Sequence, residues 1–123
     1  MADKSLYERL GGYDGINAFV EELISRTQKC EHLGRFWLNR GDDGIAREKQ
    51  LLKDYLCASA GGPLVYTGRD MLTAHKGMKI SEVDWQAFLT HAGATLEVMQ
   101  VPEQECTDVV AFALSLKNDI VEA

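Results

Sequence analysis

Apolar residues recur at steps of three and four along most of this chain, which is the spacing of one face of an α-helix. The clearest stripe of this kind consists of Ile16, Phe19, Val20, Leu23 and Ile24. The pair Gly11-Gly12 precedes this stripe and is expected to turn the chain into the helix. No segment alternates apolar and polar residues over the length of a strand. The pattern therefore predicts an all-α fold in which striped helices pack on one another.

A second helix is predicted over residues 45–60, because its apolar positions again fall on one face. A short apolar cluster, Phe36-Trp37-Leu38, precedes it, and the polar run over residues 39–44 predicts a loop between the two. Gly61-Gly62-Pro63 is expected to end this helix. Glycine accepts the left-handed conformation that closes helices, and proline blocks any continuation.

Three more helices are predicted in the rest of the chain. The first is very short and covers residues 70–76. Ser81 has the residue type and position of the cap that begins a long second one. Pro102 suits the first turn of the last one, which is expected to continue through Ile120. A chain of 123 residues is enough for one core, so we expect a single domain over residues 1–123.

Composition and charge exclude several classes of protein. The net charge is −6 with both signs scattered, which argues against a nucleic-acid groove, since phosphate binding needs a clustered basic surface. No apolar run reaches the roughly 18 residues of a membrane span, and the first five residues lack the apolar core of a secretory signal. Cys30, Cys57 and Cys106 form no C-x-x-C pair. Reduced thiols and a cytoplasmic location are expected.

The stretch over residues 61–80 carries the most specific chemistry in the chain. It places one histidine, His75, among apolar residues shortly after a glycine-rich loop. A single imidazole in such a setting is how a protein offers one nitrogen to the iron of a flat apolar cofactor. His32 lies in a polar turn and His91 is expected to pack or bond locally, so neither is predicted to be a metal ligand.

Several short motifs, in their order and spacing, resemble those of one family over nearly the whole chain, from about Leu6 to Val121. They are Leu10-Gly11-Gly12, Leu33-x-x-Phe36-Trp37, Tyr55 to Pro63, Tyr66-Thr67-Gly68-Arg69 and His75-x-Gly77. Together they are similar to the truncated haemoglobins, closest to group I. The resemblance implies a truncated globin-like two-over-two helical sandwich. It also implies a haem whose iron is bound by the proximal histidine, which falls on His75.

The resemblance further implies a set of haem contacts. Besides His75 they are Phe36, Trp37, Tyr55, Val65, Tyr66, Thr67, Arg69, Met71, Leu72, Met78, Ile80, Trp85 and Leu89, with Ala60 and Phe88 as additions. The haem propionates need cationic or hydroxyl partners. The expected partners are Arg69, Thr67, Tyr66, Lys49 and Lys76. Covalent haem attachment in this family needs a histidine in the last helix, and none is present there. We therefore expect non-covalent haem b.

The expected ligand side of the haem departs from the family pattern. Most group I members have a Phe-Tyr pair whose tyrosine hydroxyl bonds to the bound gas. Those positions fall on Leu23 and Ile24 here, and neither side chain can donate a hydrogen bond. The polar positions of the next helix fall on Glu48, Leu51 and Leu52, although the longer preceding loop leaves this register open. With Ile24 and Trp37 they predict a mostly apolar distal ligand pocket that releases O2 quickly.

The resemblance leaves the physiological role open. The leading interpretation is reversible binding of O2, CO or NO at one haem iron, with oxygen transport or NO-related chemistry as its use. The alternatives are an NO dioxygenase or other redox enzyme, supported by an unidentified reductase, and a gas-sensing or interaction domain. Lys49 or Lys53 is a second candidate for the sixth iron ligand. The oligomeric state is expected to be a monomer or a weak dimer.

Overall fold

The computed structural model describes residues 4–38 and 40–122, and the regular secondary structure of this part is helical, with no strand. The α-helices are α1 (Leu6–Arg9), α2 (Gly12–Lys29), α3 (Gly41–Ser59), α4 (Met71–His75), α5 (Glu82–Val98), α6 (Glu103–Ser115) and α7 (Lys117–Ile120). A 3-10 helix, Gly34–Trp37, lies between α2 and α3. The all-α prediction is therefore confirmed for the described residues.

The core is centred on α2, which packs against both α3 and α5, while α5 also packs against α6. Ile16, Val20 and Ile24 of α2 meet Cys57 of α3 in a cluster that excludes solvent. Each is 4% exposed or less. The apolar stripe predicted for the first long helix is thus the buried face of α2, and burial of that face drives the helices together.

The glycine pair ends α3 as predicted. The Gly62 N–H donates to the Cys57 carbonyl oxygen at 2.8 Å and the Gly61 N–H to that of Ala58 at 3.3 Å. Gly61 has a φ of +94°, the left-handed conformation that this closure requires. A Cβ on Gly62 would lie 2.6 Å from the ring of Tyr7. The turn therefore needs one glycine for its backbone and the other for the close approach of α1.

The start of α5 also follows the sequence. The Ser81 hydroxyl accepts a hydrogen bond from the Asp84 N–H at 3.1 Å, and the Asp84 carboxylate accepts one from the Ser81 N–H at 3.0 Å. This reciprocal pair satisfies two of the free N–H groups at the helix start. The cap predicted at Ser81 is confirmed.

Two helix boundaries differ from the prediction. Helix α3 begins at Gly41, so residues 41–44 are helical rather than part of a polar loop. Asp42 and Asp43 fall in its first turn, where carboxylates are stabilised by the helix dipole. Asn39, the first residue of the predicted loop, lies outside the described residues.

The last predicted helix is divided in two. Helix α6 ends at Ser115 and α7 follows, which lets α7 pack against α4 while α6 stays on α5. Pro102 caps α6 rather than lying in its first turn. Helix α1, four residues long, is too short for periodicity to predict. Among the described residues, no helix combines the length and the apolarity needed to cross a membrane.

Candidate functional site

A cavity of about 350 Å³ lies between the helices, within the size range of small-molecule and cofactor sites. Helices α2 and α3 contribute apolar side chains to its lining, and so do α4, α5, α6 and α7. The wall from α2 and α3 includes Phe19, Leu23, Ile24, Leu51 and Leu52. Such a lining favours a large, mostly apolar ligand, because each apolar contact removes apolar surface from water.

His75 is the last residue of α4 and lines this cavity. Its Nδ1 atom lies 2.8 Å from the carbonyl oxygen of Met71, one turn earlier in the same helix. A carbonyl can only accept, so the proton of the neutral ring is on Nδ1. The lone pair of Nε2 is then left for a metal. This second hydrogen bond is the usual way in which a ligating imidazole is oriented.

Helix α4 has only five residues and is stabilised by local polar contacts. The Asp70 carboxylate accepts a hydrogen bond from the Thr73 N–H at 2.7 Å and so caps the helix. Hydrogen bonding from Thr73 lowers the pKa of Asp70 below its ordinary value, so the cap is charged at neutral pH. Because a helix this short has little stability of its own, the position of His75 depends on such contacts.

Polar side chains also line the cavity. Arg40 pairs with Glu48 at 3.2 Å, and its guanidinium lies 5.7 Å from the centre of the Trp37 ring. The Tyr66 hydroxyl donates to the Arg69 carbonyl oxygen at 2.5 Å. All five residues line the cavity. The sequence interpretation missed Arg40, although it lies three residues after Trp37, which lines the same cavity.

An ion pair between a half-exposed arginine and a buried aspartate joins the 3-10 helix to α5 beside the cavity. Arg35 donates to the two carboxylate oxygens of Asp84 at 3.1 and 2.6 Å, and Asp84 is only 3% exposed. The guanidinium of Arg35 lowers the pKa of Asp84 to about 2. The same guanidinium lies 4.3 Å from the centre of the Phe36 ring. Sequence reasoning assigned neither partner a role, since they are far apart along the chain.

These residues fit a haem. Its porphyrin supplies four ligands to the iron, so the protein needs to add only one imidazole and an apolar enclosure. Within residues 4–38 and 40–122, no three His, Cys, Asp or Glu side chains come together as a metal cluster would require. The indole N–H of Trp85, a buried residue in the cavity lining, has no hydrogen-bond partner among the described residues. Such a donor could form a hydrogen bond with a cofactor that carries polar substituents.

A family model described as bacterial-like globin matches residues 5–122. The chain belongs to the bacterial-like globins. It is 29% identical over 118 residues to a group 1 truncated hemoglobin of Tetrahymena pyriformis, covering 96% of this chain and 95% of that one. A similar protein from Synechocystis is 29% identical over 113 residues, which is 89% of each chain.

Solved structures of truncated hemoglobins match the fold of this globin. The Fe(III) form from Tetrahymena pyriformis superposes with a TM-score of 0.88 at 25% identity, over 98% of this chain and 100% of that one. The 2/2 hemoglobin of Synechococcus, described as having covalently attached heme, gives 0.86 at 28% identity over 96% and 98%. The predicted two-over-two globin fold is confirmed, and membership of the family implies haem-based gas binding.

The cavity brings together most of the residues that the resemblance implied. Of the expected haem contacts, its lining includes Phe36, Trp37, Tyr55, Tyr66, Arg69, Met71, His75, Met78, Ile80, Trp85 and Phe88. Of the expected ligand pocket, it includes Ile24, Trp37, Glu48, Leu51 and Leu52. The contacts of these residues with a haem stay predictions. Such contacts require the residues to line one cavity, as they do here.

Five expected contacts lie outside this lining: Ala60, Val65, Thr67, Leu72 and Leu89. Val65 is 78% exposed and Leu72 is 56% exposed. Neighbours in an extended segment point to opposite sides, so Tyr66 reaches the cavity while Val65 and Thr67 are exposed. Ala60 lines a smaller adjoining cavity instead. The structure gives no contact that supports a haem role for these residues.

The lysines expected as candidate iron ligands or propionate partners also lie outside the lining. Lys49 and Lys53 both donate to Glu21 of α2, at 3.0 and 2.6 Å. The hydrogen bond from Lys53 lowers the pKa of Glu21 most, and the bond from Lys49 acts in the same direction. Lys76 is exposed and does not line the cavity. Of the expected propionate partners, only Arg69 and Tyr66 line it.

Proposed function

We propose that this globin binds diatomic gases, O2, CO or NO, reversibly at one non-covalently held haem b. The observation that carries the proposal is the geometry of His75, whose Nδ1 is bonded to the Met71 carbonyl while Nε2 stays free beside an apolar cavity. When bound, haem supplies an iron with one coordination position left for a gas.

The side chains of this globin have separate tasks in that proposal. His75 anchors the cofactor from α4, and the apolar wall from α2 and α3 keeps water away from the gas. Arg40 and Arg69 are the cations that line the cavity, so they are assigned to the haem propionates. Arg40 replaces Lys49 and Lys76 in this assignment, since neither lysine lines the cavity.

The ligand side supports rapid release of O2. Leu23 and Ile24 offer only hydrocarbon to the cavity, and the carboxylate of Glu48 is paired with Arg40. O2 gains partial negative charge on binding, whereas CO is much less polarised, so the lack of a donor at positions 23 and 24 weakens O2 binding more. This favours gas binding or NO-related chemistry over oxygen storage. Tyr55 and Trp37 also line the cavity, and slow release would identify one of them as a donor.

Non-covalent attachment is proposed from the distribution of histidine. The three histidines are His32, His75 and His91, and none lies in α6 or α7, which form the last part of the fold. The Synechococcus relative has covalently attached heme, whereas we propose that this globin holds its haem without a covalent bond. The proposal also includes a single domain over residues 1–123. It further includes a reducing, cytoplasmic setting, which the three free cysteines support.

Absorption spectra of the ferric, ferrous and CO-bound protein test the proposal. We expect a histidine-ligated haem spectrum that becomes five-coordinate on reduction and shifts on addition of CO. His75→Ala is expected to lose that spectrum, while His91→Ala is a matched control that keeps it. A colourless wild-type protein after haem addition would contradict haem binding. Stoichiometric rather than continuous consumption of NO with a reductase present would exclude the NO dioxygenase alternative.

A further inference from the structure

The segment that follows His75 has a strained backbone. Gly77 and Lys79 both have positive φ angles, +86° and +57°. Lysine rarely adopts this left-handed conformation, because its Cβ then approaches its own backbone. Such a residue keeps this conformation only where the surrounding contacts hold it there.

Three hydrogen bonds tie this segment to one distant residue, Glu122. One carboxylate oxygen of Glu122 accepts a hydrogen bond from the Gly77 N–H at 3.1 Å, and the other accepts one from the Lys79 N–H at 2.8 Å. The Glu122 N–H in turn donates to the Ile80 carbonyl oxygen at 2.9 Å. One carboxylate therefore satisfies two backbone donors of the segment at the same time.

The carboxylate of Glu122 is well suited to this position. The hydrogen bonds from Gly77 and Lys79 lower its pKa, and the positive charges of Lys76 and Lys79 act in the same direction. Hydrogen bonds to an ionised acceptor are roughly twice as strong as those between neutral groups.

This segment is directly connected to the iron ligand. The Met78 N–H donates to the carbonyl oxygen of His75 at 3.1 Å, which ties the segment to the end of α4. Met78 and Ile80, on either side of Lys79, both line the cavity. Helix α7, which ends two residues before Glu122, also packs against α4. Movement of the segment would therefore displace both His75 and part of the cavity wall.

We propose that Glu122 is a positioning residue for the haem-binding histidine: by binding the N–H groups of Gly77 and Lys79, it fixes the segment that sets the orientation of the His75 imidazole. This inference rests on the proposed haem function. It adds that the geometry of the iron–histidine bond depends on a side chain that does not itself line the cavity.

The test compares Glu122→Ala and Glu122→Gln with the wild-type holoprotein. Glu82→Ala is the matched control, because Glu82 is also an exposed glutamate and binds Lys117 of α7 at 2.8 Å without touching the segment. Transfer of haem to an apomyoglobin acceptor is expected to be about tenfold faster in Glu122→Ala and about threefold faster in Glu122→Gln. Glu82→Ala is expected to match the wild type.

Two further measurements separate positioning from general stability. The iron–histidine stretching band in resonance Raman spectra of the ferrous protein is expected to broaden or shift in Glu122→Ala only. Amide exchange at Gly77 and Lys79 is expected to accelerate in both Glu122 variants. An unchanged band together with unchanged haem transfer in a folded Glu122 variant would overturn the inference. A wild-type protein without a haem spectrum would instead overturn the proposed function.

Discussion

The wall that α2 and α3 give to the cavity and the segment that carries His75 are stabilised in opposite ways. The wall comes from helices of 18 and 19 residues, and its members Leu23 and Ile24 are 2% and 4% exposed. Helix α4 has five residues and none of them is buried. Asp70, the Met71 carbonyl and Glu122 hold it and the following segment through hydrogen bonds.

This difference matches what each region has to do. Burial of apolar surface is strong but not directional, so it can shape a dry cavity without orienting any one atom. Hydrogen bonds add less stability but fix direction, which is what the metal ligand proposed at His75 would need. Adding a polar group to the wall, or removing one from the segment, therefore tests whether the two regions are specialised in this way.

The largest effect is expected from Ile24→Tyr, which adds a hydroxyl to the apolar wall. Release of O2 is expected to slow about ten- to a hundredfold, because one hydrogen bond to a charged group is worth about 1.5–3 kcal/mol. Rapid mixing of the O2 complex with excess CO measures this rate. Ile24→Phe is the control, since it adds the ring without the hydroxyl and should stay near the wild-type rate. Equal slowing by both variants would show that ring volume, not hydrogen bonding, controls release.

A smaller effect is expected from Asp84→Asn, which keeps the shape of the buried side chain but removes its charge. Arg35 lowers the pKa of Asp84 from 3.8 to about 2 in the folded protein. A lowered folded-state pKa stabilises the fold above the ordinary pKa, and this contribution is lost as pH falls from about 4 to about 2. Since solvent screens Arg35, we expect the variant to be about 1–2 kcal/mol less stable at pH 7.

Urea unfolding at several pH values checks this prediction. The stability difference between wild type and Asp84→Asn is expected to shrink below pH 4 and to vanish near pH 2. Glu82→Gln, which alters an exposed ion pair with Lys117, is expected to change stability little at any pH. A difference that stays constant with pH would mean that the Arg35 pair contributes no net electrostatic stability.

The smallest effect is expected from Asp70→Ala, which removes the cap of α4. Because α4 buries none of its residues, the loss should appear as haem transfer about three- to fivefold faster, with little change in global unfolding. Asp70→Asn keeps a capping oxygen and should resemble the wild type. If Asp70→Ala instead lowered global stability with haem transfer unchanged, α4 would belong to the main folding unit and the comparison between the two regions would fail.

Sequence periodicity predicted the parts of the fold that depend on local patterns. The stripe from Ile16 to Ile24 became the buried face of α2, and Ser81 became the cap of α5. The boundary at Gly41 was missed because the run from Gly41 to Gly44 is typical of loops. Only the helix context makes the carboxylates of Asp42 and Asp43 favourable there.

The site was predictable at His75 and less so around it. Motif order predicts His75 as the iron ligand, and the structure places His75 in the lining of one cavity with most of the other expected residues. The contacts that position them join residues far apart in sequence, such as Arg35 with Asp84, 49 residues on, and Gly77 with Glu122, 45 residues on. No local pattern encodes such pairs, because they exist only once the helices have packed.

The close approach of Tyr7 to Gly62 also bears on how the protein is made. The Tyr7 N–H donates to the Ala60 carbonyl oxygen at 2.9 Å, and its ring fills the space that a side chain at position 62 would need. Helix α1 is synthesised before α3, yet the surface against which it packs is complete only after residue 62 has left the ribosome. During translation, Tyr7 therefore cannot make these contacts until the C-terminal end of α3 has emerged.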